Sequence, residues 1–197
     1  AQIKSLQSDG YNVYMYLDDE LMEVEHLCCL AHARNKFKDA YNQGCEKARF
    51  FLEQIAKLYK REDDYRRDKL TATRTKGKRN DAYTNRIVEC LRSELYDLLA
   101  LPEEEKSDLM RTALNYLHKF WEQLFAYRKD GEYTIDNLAA ERAIRPLTVQ
   151  RKNSLFFCST KGALRSAVYN TFIETCKQAG ISFRSFFCKY MTEIRKS

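Results

Sequence analysis

Most hydrophobic positions along the chain recur at helical spacing. From Ala31, the apolar residues Phe37, Tyr41, Ala48, Leu52, Ile55 and Tyr59 predict one long amphipathic helix reaching the charged stretch that begins at Lys60, weakened or bent at Gly44. Tyr83, Ile87, Leu91, Leu95 and Leu98 predict the next, closed near Pro102. A further helix is expected to begin at Glu103 to Glu105, whose charges suit a helix N-terminus, and to pass through Leu109, Ala113, Tyr116, Leu117, Phe120, Trp121 and Leu124 to Gly131. Ala167, Val168, Phe172, Ile173 and Cys176 predict an inward face on a helix capped by Gly180, and a last helix follows Ser182.

Other stretches read differently. "IKSLQSDG" predicts a strand ending in an Asp-Gly turn and "VEHLCCL" a second short strand, with a brief helix at "YNVYMYLDDE" between them. "SLFFCS" suggests a β-like turn. Residues 66–79 carry seven Lys/Arg against one acid with almost no large apolar side chain, which predicts a loop or solvated helix end. That run reads either as a plain mobile loop or as a non-specific contact for DNA phosphates. Residues 46–130 therefore form an all-helical block between two segments of another character.

Composition sharpens this. Against 13 Tyr and 11 Phe stand only 6 Gly and 2 Pro, which favours long helices over a turn-rich β fold. The 197 residues suit one domain, or one domain with a large insertion. A net charge of +6 permits a polyanionic partner without demanding one. The seven cysteines are odd in number and lack the spacing of a secreted framework, so they read as reduced intracellular thiols. No apolar run approaches the roughly 18 residues of a membrane span, and no signal segment opens the chain.

The most informative stretch is "TIDNLAAERAIRP" at 134–146. On a helical wheel Ala139, Ala140, Ala143 and Ile144 share one face, and Asn137, Glu141, Arg142 and Arg145 the other. Asp136 suits an N-cap and Pro146 a stop. From 141 to 165 Glu141 is the only acid, against Arg142, Arg145, Arg151, Lys152, Lys161 and Arg165, a stripe suited to phosphate contact. A surface pair between Glu141 and Arg145 is the plainer reading of the glutamate.

"LQSDGY" at 6–11, "CLAHARNKF" at 29–37, "IDNLAAERAIRPLTVQRKNSLFF" at 135–157 and "FIETCKQAG" at 172–180 together resemble the insertion sequence sixty-six family of bacterial transposases. The resemblance covers nearly the whole chain and is weakest in the helical middle. It implies a DDE transposase, in which a ribonuclease-H-like sheet presents two aspartates and a glutamate to two Mg²⁺ (or Mn²⁺) ions. Such ions activate a water or 3′-hydroxyl on one side of a phosphorus and stabilise the leaving oxygen on the other. Carried over to this sequence, Asp9 matches the second acid and Glu141 the third, both metal ligands. Arg142, Arg145, Arg151, Lys152, Lys161 and Arg165 would meet DNA, and Cys29 with His32 would shape the site after the second strand. The first aspartate is expected on an earlier strand, so the chain, which opens at Ala1, reads as a C-terminal part that is inactive alone.

The expected fold is thus α+β, mostly α: a partial ribonuclease-H-like core at 1–45 and 131–197, interrupted by a helical insertion at 46–130. The implied partners are transposon ends and target DNA, with a homo-oligomer in the complete protein and a bacterial cytoplasmic setting. The rival reading is a non-catalytic helical DNA-binding or assembly module. Zinc at Cys29 and His32 would need two further ligands that no second close Cys/His pair supplies. The run Asp18, Asp19, Glu20 diverges around a helix and makes a poor metal site.

Overall fold

Two strands and a series of helices follow one another in a computed structural model that describes residues 3–10, 24–154 and 156–195. β1 (Ser5–Ser8) and β2 (Glu25–Cys28) pair in parallel, in the register Ser5 with Glu25 through Ser8 with Cys28. The sequence places both strands correctly; the expected helix at 11–20 and the acids at 18–20 lie outside the described residues. The described chain is mostly helical and, with its parallel strand pair, α+β.

Where one helix was expected from Ala31 there are two, α1 (Leu30–Asn42) and α2 (Lys47–Arg67). Gly44 does more than bend the run. At φ +91° it sits in the left-handed region, its N–H bonds to the Tyr41 carbonyl at 2.9 Å and the Cys45 N–H bonds to the Ala40 carbonyl at 3.1 Å. That is a Schellman ending, which satisfies the last carbonyls of α1 and turns the chain back. Phe37 and Phe51 then stack across the two helices, ring centroids 4.2 Å apart.

Residues 66–79 are in part the solvated helix end that their charges predict and in part a further helix that they do not. α2 continues to Arg67, and α3 (Ala72–Arg79) starts on a Thr71 cap. α4 (Ala82–Leu99) buries Ile87, Leu91, Leu95 and Leu98 as expected, with Thr84 inside and Tyr83 exposed. The three glutamates form only a 3₁₀ turn (Glu103–Glu105); α5 (Asp108–Lys119) begins at the Ser107 cap, whose hydroxyl accepts from Met110 N–H at 3.3 Å. A break at Phe120 separates α5 from α6 (Trp121–Phe125) and a second 3₁₀ turn (Ala126–Lys129). Phe120, Trp121 and Phe125 are core, as their spacing predicts, packed with Leu91, Leu114 and Leu124.

The chain divides into two compact units, 1–137 and 138–197. The second holds α7 (Leu138–Ser154), α8 (Thr160–Gln178) and α9 (Phe183–Ile194). Pro146 does not stop α7 but lies within it. Proline's fixed φ is itself helical; it costs one N–H bond and a clash with the carbonyl four residues back, about 3 kcal/mol, and need not end a helix. α7 starts at Leu138, so Asp136 lies one residue before the capping position. Gly180, at φ +67°, ends α8 in a second Schellman arrangement, with Ile181 N–H on the Cys176 carbonyl at 2.8 Å. α9 begins on the Ser182 cap as predicted. The inward face expected on α8 is a correction: only Cys176 is buried, while Ala167, Val168 and Phe172 are exposed. Residues 156–159 form no strand.

Candidate active site

The candidate site starts from the register of the strand pair. Because Ser8 pairs with Cys28, Asp9 and Cys29 both lie one residue beyond the carboxyl ends of their strands, and Cys29 N–H extends the ladder to the Ser8 carbonyl at 2.9 Å. In open parallel sheets this is the edge where ligands bind.

Asp9 is exposed, yet its backbone is clamped. The Tyr116 hydroxyl donates to the Asp9 carbonyl at 2.8 Å. On either side of it, the Ser8 hydroxyl accepts from Gly10 N–H at 3.1 Å and meets the buried His26 Nε2 at 2.8 Å. Gly10 has φ +82°, and a Cβ there would lie 3.0 to 3.1 Å from the Phe120 and Tyr116 rings. The turn is therefore an Asp-Gly turn, as its residues predict, packed against the aromatic side chains of Tyr116 on α5 and Phe120 at its end. Burial first, and then the nearby Cys28, Cys29 and Asp9, push the Tyr116 hydroxyl well above its ordinary value. It stays a hydrogen-bond donor at neutral pH.

Cys29 stands at the start of α1 and is fully buried; His32 is half-buried in the first turn. Burial raises the Cys29 thiol, and backbone N–H groups of Asn137, His32 and Ala31 pull the other way. Among the described residues no group of three or more His, Cys, Asp or Glu is arranged to hold a metal.

A third strip of chain runs along the same edge. Gln7 and Thr134 exchange two hydrogen bonds, Gln7 Nε2 to the Thr134 carbonyl at 3.1 Å and Thr134 Oγ1 to Gln7 Oε1 at 2.8 Å. Leu30 N–H donates to the Ile135 carbonyl at 3.1 Å. These bonds bring Asp136 beside Cys29 and Tyr59, whose hydroxyl is raised by burial first and by the Asp136 carboxylate second.

The strip is anchored from behind by a buried ion pair. Arg79 donates to both Glu62 carboxylate oxygens at 2.8 and 2.7 Å, and to the carbonyls of Tyr127, Asp130 and Tyr133 at 2.7, 2.5 and 3.0 Å. Sequence reasoning missed Arg79 because nothing separates it from the six other cations of its run. It missed the roles of Tyr116 and Asp136 because one reads as core and the other as a cap. Only the fold distinguishes Arg79: it and Thr75, four apart on one face of α3, are the buried residues of that helix.

In the second unit Glu141 sits in the first turn of α7 and is exposed. Arg142, Arg145, Arg151 and Lys152 on α7, and Lys161 and Arg165 on α8, are exposed too. Gln150 ties the two helices, its Oε1 accepting from Asn170 at 2.9 Å and Ser166 at 3.1 Å. So Asp9, Cys29 and His32 come together on the first unit, while Glu141 and the predicted phosphate-contact cations belong to the second.

Residues 4–165 match the model of the transposase IS66 family. Three curated relatives, all from Sinorhizobium fredii and all called uncharacterized proteins, are similar to the chain. y4qI is 29% identical over 96% of this chain, y4jD 27% over 89%, and y4hP 27% over 96%. The chain spans about a third of the length of these relatives, 35 to 36%. No solved structure matches it. Among the described residues no helix is long and apolar enough to cross a membrane.

Proposed function

Because this chain belongs to the transposase IS66 family, we propose that it is the C-terminal catalytic part of a DDE-type DNA transposase, with Asp9 and Glu141 as the second and third metal-binding acids of a ribonuclease-H-like core. The observation that carries the reading is the position of Asp9, exposed and backbone-clamped at the carboxyl end of a parallel strand, in a chain whose family processes mobile DNA. The helices between residues 46 and 130 are the insertion in that core.

The donor chemistry fits Mg²⁺ or Mn²⁺. Asp9 and Glu141 offer exposed hard oxygens, whereas the Cys29 sulfur is buried and held neutral, which suits a shaping role beside His32. Two such ions would supply an activated nucleophile and a stabilised leaving oxygen in the complete protein. The chain's own residues orient the partners. Tyr116 and the Ser8–His26 pair fix the Asp9 turn, and Arg142, Arg145, Arg151, Lys152, Lys161 and Arg165 neutralise phosphates of the transposon end and target.

A homo-oligomer is part of the proposal. It is supported by the exposed apolar surface of α8 and α9, where Leu164, Val168, Phe172, Phe183, Phe187 and Tyr190 line a cavity of about 330 Å³. The test is strand transfer by the intact transposase. Asp9→Asn and Glu141→Gln should each lower it more than about 10²-fold, the upper end of what supporting residues around a metal contribute, while DNA binding persists. Glu132→Gln, at an exposed position, should leave it intact. Activity retained in either acid variant refutes the assignment.

A further inference from the structure

A single aromatic ring joins the Asp9 turn to a lysine. The Tyr116 hydroxyl donates to the Asp9 carbonyl at 2.8 Å, and a Cβ at Gly10 would lie 3.1 Å from Tyr116 Cε2 and Oη, so the backbone of the turn fills the edge of this ring. Over the ring stands the Lys36 ammonium, 5.0 Å from its centroid. Lys36 arrives there because α1 leaves the same edge of the strand pair, directly after Cys29, and packs along α5. It lies one turn beyond His32 on the same helix face.

The cations of this stretch of α1 diverge. Arg34 lies over the Tyr59 ring at 6.0 Å, and Lys38, about 200° round the helix from Lys36, is exposed. Lys36 is half-buried, and of the three it is the one directed to the ring that holds Asp9. Its place, rather than its charge alone, sets it apart. The ring attracts the ammonium without cancelling it. Burial keeps the Tyr116 hydroxyl protonated at neutral pH, so Lys36 faces a neutral ring and not a phenolate. A cation so placed keeps its charge and its N–H donors. Among the described residues Lys36 forms no ion pair, with Asp39 one turn on or with any other acid.

We propose that Lys36 is a substrate-binding residue, whose ammonium contacts a phosphate of the DNA strand that reacts at the Asp9 edge. Tyr116 would hold the acid by its hydroxyl and steady the lysine by its ring, so that both meet one strand. An ammonium on a flexible stem is a compact point charge whose donors swing to phosphate oxygens, and it suits a backbone better than a planar, fixed partner. The inference rests on the DDE reading, which brings the reacting strand to Asp9.

The experiment measures strand transfer by the intact transposase with Mn²⁺ on a pre-cleaved transposon-end duplex, following KM for the duplex between 50 and 200 mM salt. Wild type is compared with Lys36→Met, Lys36→Arg and Lys38→Met. Methionine keeps an apolar stem over Tyr116 and removes the charge. Loss of one charge-assisted hydrogen bond should raise KM at 50 mM salt by about 10-fold and leave kcat unchanged, as for an interaction made equally in the ground and transition states. One lost phosphate contact also makes the salt slope shallower by about 0.9, so over that range KM rises about 3.5-fold less than in the wild type. Lys36→Arg keeps the charge and should recover most of the affinity and the wild-type slope, and Lys38→Met should match the wild type in both. Wild-type KM and slope in Lys36→Met would leave a lysine that only packs on Tyr116 and would overturn the proposal, as would an equal effect in Lys38→Met. Should Asp9→Asn abolish strand transfer while Lys36→Met keeps the wild-type KM and slope, the DDE reading stands and the Lys36 contact falls. If Asp9→Asn retains strand transfer while Lys36→Met shifts both, the contact with DNA stands and the metal assignment of Asp9 falls.

Discussion

Replacing Arg79 with leucine should be among the most damaging single changes in the first unit. Its side chain is 4% exposed and that of Glu62 is 10% exposed. Removing one partner of a buried pair leaves the other charge uncompensated, which costs about 3–5 kcal/mol. The carbonyls of Tyr127, Asp130 and Tyr133 lose their donor at the same time, so the lower end of that range is a floor. Against a total stability of about 5–15 kcal/mol this is a large share. With a urea slope of about 2 kcal/mol/M, the midpoint of unfolding should fall by at least about 1.5 M. Glu62→Leu/Arg79→Leu removes the orphaned carboxylate and should recover part of the loss, so the double variant is the more stable of the two. Arg49→Leu, which breaks the exposed pair with Glu53, should unfold like the wild type. A cost below about 1 kcal/mol for Arg79→Leu, the scale of a surface pair, or a double variant no more stable than the single, would refute the reasoning.

Gly131→Ala should destabilise by about 1–3 kcal/mol, because its Cβ would fall 1.9 Å from the Ala72 carbonyl oxygen, a backbone atom that cannot swing away. Gly77→Ala, with nothing within 4 Å, should instead stabilise by about 0.5–1 kcal/mol; paired urea melts compare them. Tyr59, Tyr116 and Tyr127 are all raised, chiefly by burial, so above about pH 10 the unfolded chain ionises while the native one keeps its protons. The native state then binds more protons and stability falls as pH rises; in denaturant melts over that range Tyr127→Phe should show the shallower decline. Native alkylation followed by mass spectrometry should modify Cys90, Cys158 and Cys188 first and spare Cys28, Cys29 and Cys176, which are buried.

Where local chemistry decides an element, the sequence could be read. Ser182 caps α9, Gly180 ends α8, and both strands fall where apolar residues meet an Asp-Gly or Cys-Cys boundary. Gly44 was legible as a disturbance, but whether it bends or breaks a helix depends on whether residue 45 can close the Schellman bond, which spacing does not reveal. α3 was illegible for a tertiary reason: its stability comes from bonds made by Arg61, Tyr65, Thr84 and Arg79 across 6 to 54 residues of separation. Asp136 was read as a cap and instead lies beside Tyr59 and Cys29, because hydrogen bonds from Gln7 and Leu30 set the path of its strip. The exposed face of α8 shows the converse, apolar spacing without burial in this chain.

The central claim is that Asp9 and Glu141 serve one catalytic centre. It is tested most directly by a crystal structure of the intact transposase grown with Mn²⁺, located by its anomalous signal. Manganese is expected between the two carboxylates, which would stand roughly 4–7 Å apart, as two metals about 4 Å apart require. Manganese bound by Asp9 without Glu141, or carboxylates well beyond that distance in the metal-bound protein, would contradict it.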